Sequence, residues 1–211
     1  MRRRLRVDPR YLLQYDELPR AADGTVEWQE VFGAHRPLRL EIGVGNSPFL
    51  LDVSRLEPDY NYLGLEHALK RVFKFLRKLN ESGLENVRIL PLHSGRVLRD
   101  ALRPESVEHL FINFPDPWPK RRHVRKRLVQ PPTVARIRDL LRPGGGLSLR
   151  TDLPEYAFQM LEVADRCSGL RNLAGPGRFS LEPRYPFPTP FELFWRDEGR
   201  RIFHLEYERA P

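Results

Sequence analysis

From Leu38 onward the chain alternates short apolar runs with segments of helical periodicity, and few architectures accept that alternation. Residues 38–42, 60–65, 87–92, 107–112 and 147–149 are short and apolar enough to be buried strands. Helical patterns lie between them. After Pro48, which suits a first helical turn, Phe49, Leu50, Val53 and Leu56 recur on one face. Across 67–80, Leu69, Val72, Phe73, Leu76 and Leu79 do the same, with Lys70, Lys74 and Lys78 on another face and Gly83 as the stop. Helices are also expected at 94–102, 133–141 and 154–167, the second of these ended by Pro143 and Gly144-Gly145-Gly146. Strands joined by helices of this size predict an α/β fold: a mostly parallel sheet, right-handed crossovers and helices on both faces.

The flanks differ. Residues 1–25 are basic and patternless and read as an arm, mobile or laid on the surface, with Tyr11 and Tyr15 as anchors. Residues 26–32 suit a short amphipathic helix, and 26–211 is expected to be a single domain. Near the end, 170–173 suits a short strand and 178–190 an ordered loop rich in proline and aromatics. The alternation at 201–207 suits a closing antiparallel strand at or beside the sheet edge. Cys167 is the only cysteine, which excludes an internal disulfide and a cysteine-based zinc site. No metal is expected. The basic N-terminus has no apolar segment behind it, and no apolar run approaches membrane-spanning length, so a cytoplasmic protein is expected.

Charge is concentrated rather than spread. The net charge is +8, and residues 117–138 carry eight basic side chains and no acid, leaving 28 basic and 28 acidic residues elsewhere. Six of the eight (Lys120, Arg121, Arg122, Arg125, Lys126 and Arg127) directly follow the turn Asn113-Phe114-Pro115-Asp116-Pro117-Trp118-Pro119. A basic run is often a solvated face. Here the flanking Phe114 and Trp118 point instead to a polyanion bearing flat rings, because bases stack on aromatic side chains.

Two further positions point to a nucleoside. Gly43 and Gly45, in Glu41-Ile42-Gly43-Val44-Gly45-Asn46-Ser47, follow the first strand and precede a helix, where glycines let a ligand approach the backbone. Glu66 ends the second strand about 20 residues on, the usual place for an acid that accepts ribose hydroxyls; the plainer reading is an acid at a helix N-terminus. Acids at both places, with no arginine set for a phosphate, fit S-adenosylmethionine; NAD is the alternative. Asp116, between two prolines, is either a turn residue or a rigid acceptor matched to the N1–H and N2–H₂ donors of guanine.

Four segments then occur in an order that resembles one family: LEIGVG at 40–45, NFPDPWPKRRHVRKR at 113–127, Thr151-Asp152, and Thr189-Pro190-Phe191-Glu192. From about Trp28 to Glu208 the chain resembles the tRNA (guanine-N7-)-methyltransferases, which have a Rossmann-like class I methyltransferase fold. The resemblance implies methyl transfer from S-adenosylmethionine to N7 of a guanine in the tRNA variable loop, at position 46. By position it implies that Glu41, Gly43, Gly45, Glu66 and Asp116 bind the cofactor, with Asp116 catalytic where cofactor and base meet. It places Lys120, Asp152, Thr189, Pro190, Phe191 and Glu192 at the tRNA. Without it, Asp152 and Glu192 could equally form internal salt bridges. Two positions depart from the family. Ser47 stands where a glycine is frequent, and His93 where an aspartate often touches adenine. The competing readings are a methyltransferase for another RNA base and a non-catalytic RNA-binding protein.

Overall fold

In the first part of the chain, strands form where short segments are buried on both faces, even where Arg39, Glu41 and Arg88 interrupt the apolar residues. The structure, a computed structural model, describes residues 8–211, with Arg121 described by its backbone alone. Residues 1–7, the most basic part of the expected arm, lie outside the described residues. The chain divides into two compact units, Met1–Leu102 and Arg103–Pro211. The described residues include seven strands of a mixed, mostly parallel sheet, three in the first unit and four in the second.

In the first unit β1 (Leu38–Ile42), β2 (Asn61–Leu65) and β3 (Val87–Leu90) are parallel in the order β3-β2-β1, and every residue of the three is buried. Helices α1 (Trp28–Phe32), α2 (Phe49–Leu56), α3 (Leu69–Ser82) and α4 (Ser94–Asp100) alternate with them. Residues 8–25 are tied down. Leu13 N–H donates to the Ile89 carbonyl at 2.9 Å and Ile89 N–H to the Tyr11 carbonyl at 2.8 Å, while Tyr11, Tyr15 and Leu18 are buried. This strip covers the outer edge of β3, which would otherwise offer free backbone groups. Trp28 Nε1 donates to the Ala101 carbonyl at 3.1 Å and holds α1 in place.

Two helix faces differ from expectation. On α2 the buried set is Phe49, Leu50, Leu51, Val53 and Ser54, and Leu56 at the last turn is 59% exposed. On α3 the inward stripe is Val72, Phe75, Leu76 and Leu79, the i, i+3, i+4, i+7 set, which leaves Leu69 at 62% and Phe73 at 52% exposure. Gly83 ends α3 with a left-handed φ of 66°, as the stop signal requires.

In the second unit β4 (Val107–Asn113) pairs parallel with β5 (Leu141–Thr151), β5 pairs antiparallel with β7 (Phe203–Arg209), and β7 with β6 (Leu170–Asn172). Helices α5 (Pro131–Leu140), α6 (Pro154–Asp165) and α7 (Pro190–Asp197) complete the unit. The closing strand is antiparallel as expected, with the short β6 outside it. β5 is longer than the three residues expected, because Gly144-Gly145-Gly146 continue in the strand across a register shift between Val107 and His109. The room at Gly146 belongs to the His109 ring: a Cβ there would stand 2.2 Å from its Nδ1. α7 begins at Pro190, the last residue of the expected loop, where no helix is expected.

Candidate active site

Each unit carries one group of the expected residues. In the first, β1 ends in Glu41-Ile42 and the chain turns through Gly43 at φ 80° and Gly45 at φ 57°. Both lie in the left-handed region, which glycine enters without a Cβ penalty. A Cβ built on Gly43 meets nothing within 4 Å, so the backbone there is open to a close ligand. The turn is bound to the end of β2: Gly43 N–H and Val44 N–H both donate to the Leu65 carbonyl, at 2.8 and 3.2 Å. Glu66 is buried, and its carboxylate accepts from Gly45 N–H at 3.1 Å and Ala68 N–H at 2.8 Å. Glu66 thus does what the plainer reading required of it. It satisfies an amide at the start of α3 and fixes the glycine turn, and each oxygen keeps lone-pair capacity for a hydroxyl. Glu41 is buried one residue from the end of β1.

The two family departures have local explanations. Ser47 Oγ accepts from Phe49 N–H at 3.1 Å, which supplies the acceptor that Pro48, the residue before α2, cannot provide. His93 is the N-cap of α4; its Nδ1 accepts from Gly95 N–H at 3.2 Å, doing the capping work of an aspartate. That contact requires a deprotonated Nδ1 and leaves Nε2 to carry the ring proton.

In the second unit the central feature is the turn after β4. Phe114 at φ 49° and Trp118 at φ 42° are non-glycine residues in the left-handed region, one on each side of Asp116. Such residues cost about 1–3 kcal/mol each and persist only where surroundings hold them. Phe114 N–H donates to the Arg150 carbonyl at 2.9 Å, and its ring packs edge-on to Phe191 at 5.0 Å. Arg127 clamps the other end. Its guanidinium is buried, donating from Nε to the Pro117 carbonyl at 2.7 Å and from Nη1 to Gln159 Oε1 at 2.6 Å, over the Tyr156 ring. Arg127 therefore supports the turn and is withdrawn from the expected phosphate grip. Asp116 stands exposed, with no hydrogen-bond or ion-pair partner among the described residues.

Lys120, Arg122, Arg125 and Lys126 are exposed around a 3-10 helix, Arg121–Lys126. Lys126 Nζ lies 5.1 Å over the Trp118 ring. Asp152 pairs with Arg200 at 2.8 Å, and the Arg200 guanidinium lies 3.3 Å over the Trp195 ring.

The segment Thr189 to Glu192 forms the start of α7. Thr189 Oγ1 accepts from Glu192 N–H at 3.0 Å, and Pro190 occupies the first helical position. Thr189 and Glu192 are buried, whereas Phe191 is half exposed. Glu192 meets Arg196 at 2.5 Å, Arg150 at 3.2 Å and His204 at 4.0 Å. The plainer alternative for Asp152 and Glu192, internal ion pairing, is what their side chains do.

His204 makes this network sensitive to acid. Burial first, and then the Arg150 and Arg196 guanidiniums, push its imidazole down from 6.5 to about 4. Between those values the unfolded chain binds a proton that the folded chain refuses, so stability rises with pH. The His204 contribution is complete above 6.5 and is lost as pH falls toward 4, on the order of 3 kcal/mol in all. Glu206 opposes it, because burial raises its carboxyl and its share is lost as pH rises. Replacing His204 by Gln should flatten the acid limb relative to wild type in urea unfolding between about pH 4 and about pH 7. Parallel curves would refute the assignment.

Among the described residues, no helix is long and apolar enough to cross a membrane, and no group of three His, Cys, Asp or Glu side chains could hold a metal. Solved structures share the architecture. The 16S rRNA methyltransferase KamB aligns over 88% of this chain and 93% of its own at a TM-score of 0.61 and 16% identity. The aminoglycoside resistance methyltransferase NpmB1 aligns over 87% and 92% at 0.54 and 19% identity. The fold is the Rossmann-like class I methyltransferase fold.

A family model described as "Putative methyltransferase" matches residues 35–205. Curated relatives carry a narrower name. The tRNA (guanine-N(7)-)-methyltransferase of Leifsonia xyli subsp. xyli is 38% identical over 90% of this chain and 84% of its own length. Those of Methylococcus capsulatus and Saccharophagus degradans are 37% and 34% identical, over 85% and 89% of this chain and 78% and 82% of theirs. Such identity across nearly whole chains leaves one conclusion: this chain belongs to the tRNA (guanine-N(7)-)-methyltransferase family.

Proposed function

We propose that this chain methylates N7 of a guanine in tRNA, at position 46 of the variable loop, with S-adenosylmethionine as donor and in the cytoplasm where tRNA is found. The observation that carries the reading is the strained turn holding Asp116 exposed between Phe114 and Trp118. Strain maintained by a buried arginine clamp is poor economy for a mere connection.

The first unit suits the donor. Gly43 leaves open space where a side chain would stand, and Glu41 and Glu66 are buried carboxylates at strand ends, suited to a cationic, hydroxylated ligand. When bound, S-adenosylmethionine supplies an electrophilic methyl group on a sulfonium. Guanine N7 has a free lone pair and no proton, so the chain needs no general base and no covalent intermediate. With the donor held there, the N7–carbon bond would form as the carbon–sulfur bond broke, leaving the positive charge on the guanine ring. Asp116 is the group we assign to the base: its carboxylate accepts from N1–H and N2–H₂ and offsets the charge the ring acquires. Lys120, Arg122, Arg125 and Lys126 hold phosphates, and Phe191 offers a ring beside Phe114. Thr189, Pro190 and Glu192 serve the RNA through the helix they start, and Asp152 through Arg200.

The direct test is incubation with methyl-labelled S-adenosylmethionine and total tRNA, followed by mapping of the labelled nucleotide. Label in 7-methylguanosine at position 46 is expected. Label on another base or position would overturn the reading, as would no transfer by protein that binds both ligands.

Gly43→Ala separates folding from donor binding. The left-handed φ should cost about 1–2 kcal/mol of stability. The new methyl would occupy the open space, so S-adenosylmethionine affinity by calorimetry should fall by at least about tenfold, some 1.4 kcal/mol. Unchanged affinity would mean that the donor lies elsewhere.

A further inference from the structure

We infer that the outer face of α3 is a second docking surface for the sugar–phosphate backbone of the RNA substrate, separate from the cations at 120–126. The inference rests on the tRNA reading above. Between Leu69 and Lys78 the helix carries Lys70, Arg71, Lys74, Arg77 and Lys78 and no acid. Lys70, Arg71, Lys74 and Arg77 are exposed, and Lys70, Lys74 and Arg77 follow the i, i+4, i+7 spacing of one stripe. Those three have no hydrogen-bond or ion-pair partner among the described residues. Arg71 lies 3.9 Å from Glu66, and Lys78 is turned inward, its Nζ donating to the Asn46 carbonyl at 2.5 Å.

Local stability does not account for this stripe. Lys70 and Lys74, and again Lys74 and Lys78, are like charges four residues apart, which oppose the helix. The first turn contains no acid, carries Lys70 and Arg71, and has no side-chain cap, so cations sit at the positive end of the helix dipole. Burial first and then Arg77 lower the Lys78 ammonium, Asp52 offsets part of this, and Lys74 lowers it again. A polyanion would relieve each of these costs.

The apolar content decides the kind of polyanion. Leu69 and Phe73 are exposed at i, i+4 among the cations, while the helix's apolar stripe, Val72, Phe75, Leu76 and Leu79, is already buried. Two side chains are too few for a helix that lies in a lipid surface, which needs a whole apolar face. One exposed aromatic ring within a field of cations is the pattern of RNA contact, phosphates with an adjacent stacking surface.

The test uses the full chain with Lys70→Gln, Lys74→Gln and Arg77→Gln combined, and Phe73→Ser separately. The affinity for tRNA is measured across a salt series, beside thermal melting, S-adenosylmethionine binding and turnover at saturating tRNA. The triple variant should melt and bind S-adenosylmethionine as wild type does, with turnover at saturating tRNA retained. Its tRNA affinity should fall by about tenfold or more, and its log K against log salt slope should be shallower by about 2, as three lost phosphate contacts require. Phe73→Ser should weaken binding without changing the slope. An unchanged affinity and slope in the triple variant, with wild-type tRNA methylation intact, overturns this inference alone. Wild-type protein that fails to bind or methylate tRNA overturns the functional reading and this one together. Binding to phosphatidylglycerol vesicles that the triple variant loses while its tRNA slope stays constant would make the face a membrane surface and overturn the inference.

Discussion

Asp116→Asn is expected to lower turnover in tRNA methylation by about two orders of magnitude, the scale seen when one preorganised electrostatic contact is removed. Melting temperature, S-adenosylmethionine affinity and tRNA affinity should stay close to wild type. Stability should hold because the carboxylate is exposed and no described residue hydrogen-bonds or ion-pairs with it. Affinity for tRNA should hold because phosphate contacts dominate it. Turnover should not, for two reasons. The asparagine amide presents a donor where guanine also presents donors, and an uncharged side chain no longer offsets the cation formed as N7 is alkylated. Asp116→Glu keeps the charge but moves it by a methylene at the end of a rigid turn, so it should recover only part of the loss. Near-normal turnover in Asp116→Asn, with normal tRNA affinity, would remove Asp116 from the chemistry.

Which parts of this were legible in the sequence follows from what each residue touches. Strands β1 to β4 were legible as short runs rich in Leu, Ile, Val and Phe, although Arg39, Glu41, Arg88 and Glu108 interrupt them. The glycine turn and Glu66 were legible because their roles depend on local position at strand ends. β5 was cut short because its glycines read as a helix stop, and only the His109 ring explains why glycine stands at 146. α7 left no periodic signal, since Glu192 is the one residue of that helix that is buried. Its one local signature is a Thr-x-x-Glu pattern with proline after the threonine, a capping-box spacing.

The partners of the long-range arginines were illegible for another reason. Arg200 reaches Asp152 across 48 residues and Arg127 reaches Gln159 across 32, and nothing local marks either arginine as different from its exposed neighbours. The charge total misled in a related way. Residues 117–138 match the whole net excess, yet α3 holds five cations in ten residues that acids elsewhere cancel in the sum. A balanced total does not exclude a second local field.

Arg150→Met is expected to destabilise the fold by about 3–5 kcal/mol, the range for removing one partner of a buried ion pair. Its guanidinium is buried and donates to the Tyr185 carbonyl, to the Phe187 carbonyl at 2.8 Å and to Glu192 at 3.2 Å. The substitution strands two loop carbonyls and leaves Glu192 facing only Arg196 and a neutral His204. The consequence should extend beyond stability. The backbone carbonyl of Arg150 accepts from Phe114, the first left-handed residue beside Asp116, while its side chain holds the loop that leads into α7. One residue of β5 thus supports both the Asp116 turn and the helix bearing Phe191. At a temperature where Arg150→Met remains folded, its turnover should still fall, because the Thr189–Glu192 start loses the partner that fixes it. Glu192→Gln, which keeps the side chain's length and the Thr189 cap, should cost less than Arg150→Met. Urea unfolding measures the first effect and single-turnover methylation of tRNA the second. If Arg150→Met unfolds at the wild-type urea concentration, the buried network is not what holds this end of the unit together; if it is destabilised yet turns over normally when folded, Arg150 supports the fold and not the site.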